Sequence, residues 1–111
     1  MIKSYTDLSQ SKKLAEILQL ESADMHYGEY YANGEHYPIP NCDDDYNGHC
    51  CWSLAALLGV LPYPSLHKTF SGWRCDSYNK EGTTCKLGES LDNPVDACVA
   101  MIIKLHELNL L

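Results

Sequence analysis

The sequence predicts an α+β fold, with three helices packed on a small antiparallel sheet built from two β-hairpins. A capped amphipathic segment opens the chain and a capped, almost wholly apolar one closes it. Between them, runs of β-formers flank two turn signals, Asn33-Gly34 and Asn79-Lys-Glu-Gly82. The resulting order of helix, hairpin, helix, hairpin, helix belongs to the α+β class. At 111 residues the chain has the length of one domain, 1–111, and its 45 % apolar content suffices for a core.

Each element has a local reason. Asp7 followed by Gln10 is the pattern of a capping box. The helix it opens sets Leu14, Ile17 and Leu18 on one face, with Lys12, Glu16 and Gln19 opposite, and ends near Leu20. Over 24–40 aromatic residues appear, and two short strands are expected around Asn33-Gly34, where both positions tolerate positive φ. Pro38 and Pro40 stop the second strand or confine it to an edge. In that hairpin His26 and His36 flank the turn and face each other.

From Trp52 to Leu61, Ser53 is the only polar side chain, which predicts a short, almost fully buried helix ended by Gly59 and Pro62. Residues 66–87 then read as a hairpin with its four-residue loop at 79–82, which sets Cys75 near Cys85 across the strands. In the last helix Asn93 caps, Pro94 takes the first position and Asp96 meets the helix dipole. Its polar stripe is confined to Asn93, Asp96, Ala100, Lys104 and Glu107, so the helix should be covered on most sides as a central strut.

Charge and composition narrow the function classes. No Lys or Arg lies between Leu14 and His67, whereas eight acids do, within a chain of net charge −7. Such a surface repels a phosphate backbone and disfavours direct nucleic-acid binding. It attracts cations or a basic protein partner. The opening residues lack the continuous apolar stretch of a secretory signal, and no apolar run approaches membrane-spanning length. A cytoplasmic location with no membrane contact is therefore expected, with thiols in the reduced state. The cysteines, at 42, 50, 51, 75, 85 and 98, include no C-x-x-C pair. Small hydrophobic packing is the simplest role for each.

The densest chemistry lies at Cys42–Trp52, "CDDDYNGHCCW". Asp43-x-Asp45-x-Asn47-Gly48 matches the opening half of a calcium loop, but Leu54 stands where the clamping Glu belongs, so an acidic turn fits better. Zinc would draw on Cys42, His49, Cys50 and Cys51, completed by His36 or by Cys75 and Cys85. A third reading mounts Cys51 as a nucleophile at a helix start, with His67 or His106 as base. The neighbouring carboxylates Asp43–Asp45 would oppose that thiolate. Tyr27, Tyr30, Tyr31, Tyr37 and Tyr46 beside these acids suit instead a contact surface for a basic protein or a cationic ligand.

The segments 5–25, 51–62, "GWRC" at 72–75 and "NPVDACVAMIIKLHELNLL" at 93–111 resemble a family of short uncharacterised proteins. Gut Bacteroidales encode these, often in phage-like or mobile-element contexts. The resemblance spans nearly the whole chain. It implies a small cytoplasmic accessory protein and carries over no catalytic residue.

The leading functional expectation is a non-enzymatic protein-binding module that needs no cofactor. Its acidic, Tyr-rich surface would comprise Tyr27, Tyr30, Tyr31, Asp43, Asp44 and Asp45 and would face a basic protein. A DNA-mimicking inhibitor is a special case. The alternative is a zinc-binding or Cys-dependent hydrolase centred on Cys42–Cys51, with Cys42, His49 and Cys50 as metal ligands and Cys51, His67 and His106 as catalytic candidates.

Overall fold

The Asp7 side chain accepts from the Gln10 N–H at 2.8 Å, and the Gln10 side chain accepts from the Asp7 N–H at 3.1 Å. This reciprocal cap opens α1, Leu8–Ile17, as its sequence requires. A computed structural model describes residues 3–29, 36–40 and 50–111. Among them three α-helices and two small antiparallel sheets form an α+β fold.

The first sheet consists of β1 (Met25–Glu29), β2 (His36–Pro40) and β3 (Cys50–Cys51), in the order β2-β1-β3. β2 lies at the edge, where Pro38 and Pro40 remove no ladder bond from a second neighbour. The turn signal Asn33-Gly34 falls outside the described residues. His26 lies opposite Ile39, and His36 opposite Glu29, so the expected facing of the two histidines does not occur. The connection spans 30–35, and that register carries His36 to the mouth of the hairpin.

The second sheet, β4-β5-β6, is separate from the first. β4 (Pro64–Thr69) and β5 (Gly72–Tyr78) join through the two-residue connection Phe70-Ser71. β6 is only Cys85–Lys86, returning after the expected 79–82 turn to pair with Ser77 and Tyr78. A single sheet built from both hairpins therefore does not form. β1 spends its two edges on β2 and β3, and β5 spends its two on β4 and β6. Each central strand thus has a neighbour on both sides, although β3 covers only Met25 and His26 of β1, and β6 only Ser77 and Tyr78 of β5.

The same register separates Cys75 from Cys85. Cys75 is opposite Leu66 and fully buried, whereas Cys85 is opposite Tyr78 and exposed. Beyond β6 the chain stays close to β5. Trp73 and Leu91 exchange backbone hydrogen bonds of 2.7 and 2.8 Å. A Cβ on Gly88 would sit 2.2 Å from the Cys75 carbonyl oxygen, which fixes glycine there.

α2 runs Leu54–Val60 from the Ser53 cap, and within it only Leu57 is fully buried. It is shorter and wetter than the expected Trp52–Leu61, because Trp52 precedes the helix, Ser53 and Leu61 are its caps, and Ala55 and Gly59 face solvent. α3, Pro94–Glu107, is the strut: Val95, Cys98, Ile102 and Leu105 are fully buried, while Ala100, Lys104 and Glu107 stay exposed. Leu14, Trp52, Leu57, Leu61 and Cys75 close the core around it. Lys3 Nζ, at 3.2 Å from Asp7, 2.6 Å from Gln10 and 3.0 Å from Asp96, ties the starts of α1 and α3 together. No helix among the described residues is long and apolar enough to cross a membrane.

Candidate functional site

Cys51, the expected nucleophile, lies in β3 rather than on a helix end, and it is fully buried. Its thiol donates to the Thr6 carbonyl oxygen at 3.4 Å, and the Thr6 hydroxyl approaches its sulfur at 3.6 Å. Thr6 is the hub of this buried network. Its hydroxyl lies 2.7 Å from the Ser11 hydroxyl and accepts from the Trp52 N–H at 3.1 Å, and its carbonyl accepts from the Tyr27 hydroxyl. Burial pushes the Cys51 thiol up, and hydrogen bonds from Thr6, Tyr27 and Ser11 offset this only in part. The adjacent cap of α2 is already taken by an anion. Asp24 accepts from the Ser53 N–H at 2.9 Å and from the Ser53 hydroxyl.

Tyr27 is likewise inside the protein, and burial, foremost, pushes its phenol up. It contributes no area to a docking face. Tyr30, Tyr31, Asp43, Asp44 and Asp45, with the ligand candidates Cys42 and His49, lie outside the described residues. Cys50 is half-buried and pairs in register with His26, a soft-ligand juxtaposition absent from the sequence reading. Among the described residues no cluster of three His, Cys, Asp or Glu side chains is arranged to hold a metal. Cys75 packs in the core with Cys98 of α3 instead of meeting Cys85, and its thiol donates to the Asp76 carbonyl oxygen at 3.8 Å.

His67 enters an unforeseen constellation. Ser65 and His67 alternate on β4, opposite Asp76 and Arg74 on β5. The Ser65 hydroxyl lies 3.0 Å from His67 Nε2, and Asp76 Oδ2 lies 3.4 Å from that same nitrogen. A serine-hydrolase relay needs the serine on one ring nitrogen and the carboxylate on the other. Here both compete for one nitrogen, so a proton held there serves the carboxylate and cannot leave the serine. Asp76 is buried and also accepts from Arg74 Nη2 at 3.1 Å and the Gly88 N–H at 2.9 Å. The arrangement is a clamp joining β4, β5 and the segment after β6. His106, the other candidate base, is exposed on the last turn of α3.

The exposed aromatic surface among the described residues lies on the second sheet. Phe70 stands fully exposed at the hairpin tip, Tyr63 is 70 % exposed and Tyr78 is 41 % exposed. The rings of Tyr63 and Tyr78 meet at 86°, their centres 6.5 Å apart. With Glu81 and Gly82 they line an open recess of about 330 Å³. A more enclosed groove of about 250 Å³ runs between Gly88–Glu89 and the Ala100–Lys104 face of α3. In the sequence Pro62 marks only the end of a helix, and the tyrosine that follows it carries no signal of its own. No protein-family model, no curated protein and no solved structure matches the chain.

Proposed function

We propose that this protein is a non-enzymatic binding module for a partner with a basic surface. The observation that carries the reading is the partition of its reactive and sticky side chains. Cys51, Cys75 and Cys98 are fully buried, while Tyr63, Phe70 and Tyr78 face solvent. Large amphipathic rings at the surface are contact material, and tyrosine is enriched where proteins meet. The run of acids between Glu16 and Asp45, with no Lys or Arg among them, supplies the complementary field.

Titration with a lysine-rich peptide tests this. The wild-type chain should bind with an affinity that falls as salt rises. The variant carrying Asp43→Asn, Asp44→Asn and Asp45→Asn should bind at least about tenfold more weakly. Equal binding by the variant sinks the proposal.

The pairing of His26 with Cys50 favours a second reading, zinc held by these two with Cys42 and His49. Elemental analysis of the purified chain, with and without Cys50→Ser, decides it: stoichiometric zinc lost in the variant would replace the docking proposal.

A further inference from the structure

The recess walled by Tyr63, Tyr78 and Glu81 has the chemistry of a cation receptor. Two electron-rich rings line it in an edge contact near a right angle, and the acidic residue Glu81 lines it beside them. A compact ammonium bearing methyl groups is the cation this geometry suits. Its charge is spread over a greasy surface, so leaving water for two rings costs it less than it costs a bare ammonium.

The walls are held in advance of any ligand. Tyr63 adopts φ 48°, the left-handed region, although it is not glycine and is followed by Pro64, which itself disfavours helical geometry in the residue before it. A backbone so placed persists only where its surroundings fix it, and such outliers gather at functional positions. Ser77 helps fix this one, donating its hydroxyl to the Pro62 carbonyl at 2.6 Å. Gly82, at φ 72°, passes beneath the Tyr63 ring, and a Cβ there would meet the ring at 3.4 Å. Glu81 rides on a turn closed by the Asn79 carboxamide, which accepts from the Thr83 and Thr84 N–H groups at 2.8 and 3.2 Å. Tyr78 ends β5. Among the described residues the ammonium seated on an aromatic ring is that of Lys68, 5.8 Å from the centre of Trp73, and none sits over Tyr63 or Tyr78.

We infer that this recess binds a methylated or quaternary ammonium group. The inference rests on the binding reading above and narrows it to one ligand chemistry at one site. The full-length, isotope-labelled chain is titrated with choline and, separately, with its uncharged carbon isostere 3,3-dimethyl-1-butanol, at constant ionic strength. Saturable shifts of the Glu81 and Gly82 amides at millimolar choline are expected, with the isostere weaker by about tenfold. Tyr63→Leu and Tyr78→Leu keep apolar bulk but lose the π face, and each should weaken choline by about tenfold while the spectrum stays dispersed. Glu81→Gln, exposed and harmless to folding, should weaken choline by about threefold and guards against a misfolded tyrosine variant.

A peptide carrying trimethyllysine distinguishes the sources. Tighter binding than choline assigns a modified protein tail, and equal or weaker binding assigns a free headgroup. Either result supports the shared chemistry. Isostere binding as tight as choline, or no saturable shift at Glu81 and Gly82, overturns it. Failure here with lysine-rich peptide still bound through Asp43–Asp45 leaves the docking proposal standing, and the opposite outcome keeps the recess alone.

Discussion

Cys75 of β5 and Cys98 of α3 are both fully enclosed in one core cluster, and so help join the second sheet to the central helix. The interaction with Cys98 holds the Cys75 thiol below its ordinary value against the effect of burial. The same interaction, with burial, pushes the Cys98 thiol up.

Thiol labelling should therefore follow enclosure. Cys85, which is exposed, reacts first among the described cysteines, and Cys50 follows. Cys51, Cys75 and Cys98 should react at least about a hundredfold more slowly, through opening of the core. Timed alkylation read by peptide mass spectrometry gives the order. Cys51 reacting ahead of Cys85 would revive the nucleophile reading.

Two glycine substitutions should move stability in opposite directions. A Cβ on Gly59 of α2 meets nothing within 4 Å, so Gly59→Ala should stabilise by about 0.5–1 kcal/mol through helix propensity and a restricted unfolded chain. A Cβ on Gly88 falls 2.2 Å from the Cys75 carbonyl oxygen, backbone against backbone. Gly88→Ala should cost about 2–4 kcal/mol in urea unfolding.

The Ser65, His67 and Asp76 group should behave as a clamp. Asp76→Ala leaves the Gly88 N–H without its acceptor and Arg74 without its carboxylate, and should cost about 2–4 kcal/mol. Ser65→Ala, at an exposed hydroxyl, should stay within about 0.5 kcal/mol of wild type. A large loss at Ser65 would contradict the clamp.

Acid should weaken the junction of α1 and α3. Burial opposes ionisation of Asp96, but Lys3, Gln10 and Asn93 outweigh it and hold the carboxyl below its ordinary 3.8. The folded state thus binds this proton less readily than the unfolded state. The stabilisation is complete above the unfolded value of about 4 and is lost as pH falls through the lower folded one. Urea midpoints between pH 6 and pH 3, wild type against Asp96→Asn, check this. The wild-type advantage should narrow toward the acid end.

The terminal helices were legible because their signals are local. Asp7 with Gln10, and Asn93 with Pro94 and Asp96, write caps within four residues. The β1 and β2 pair could be read from its aromatic composition and the edge position from Pro38 and Pro40. The second sheet was harder, because Phe70-Ser71 contains no Gly, Pro, Asn or Asp and the odd backbone falls one position later, at Gly72. Without that turn, nothing brings Ser65 and His67 opposite Asp76 and Arg74. β3 adds two residues to a strand far away in the chain, and only that pairing takes Cys51 into the core. The Tyr63 corner escaped for the same reason: its left-handed backbone is imposed by packing and written in no residue type.

The outer strand β2 carries a further consequence. Pro38 and Pro40 share parity, so both missing N–H groups lie along one side, and a strand that remains laddered to β1 turns that side outward. Of the three outward positions, 36, 38 and 40, an incoming extended chain would find a donor only at His36. The first sheet is thereby guarded against runaway strand addition into fibrils, a safeguard that exchanging both prolines for threonine would remove.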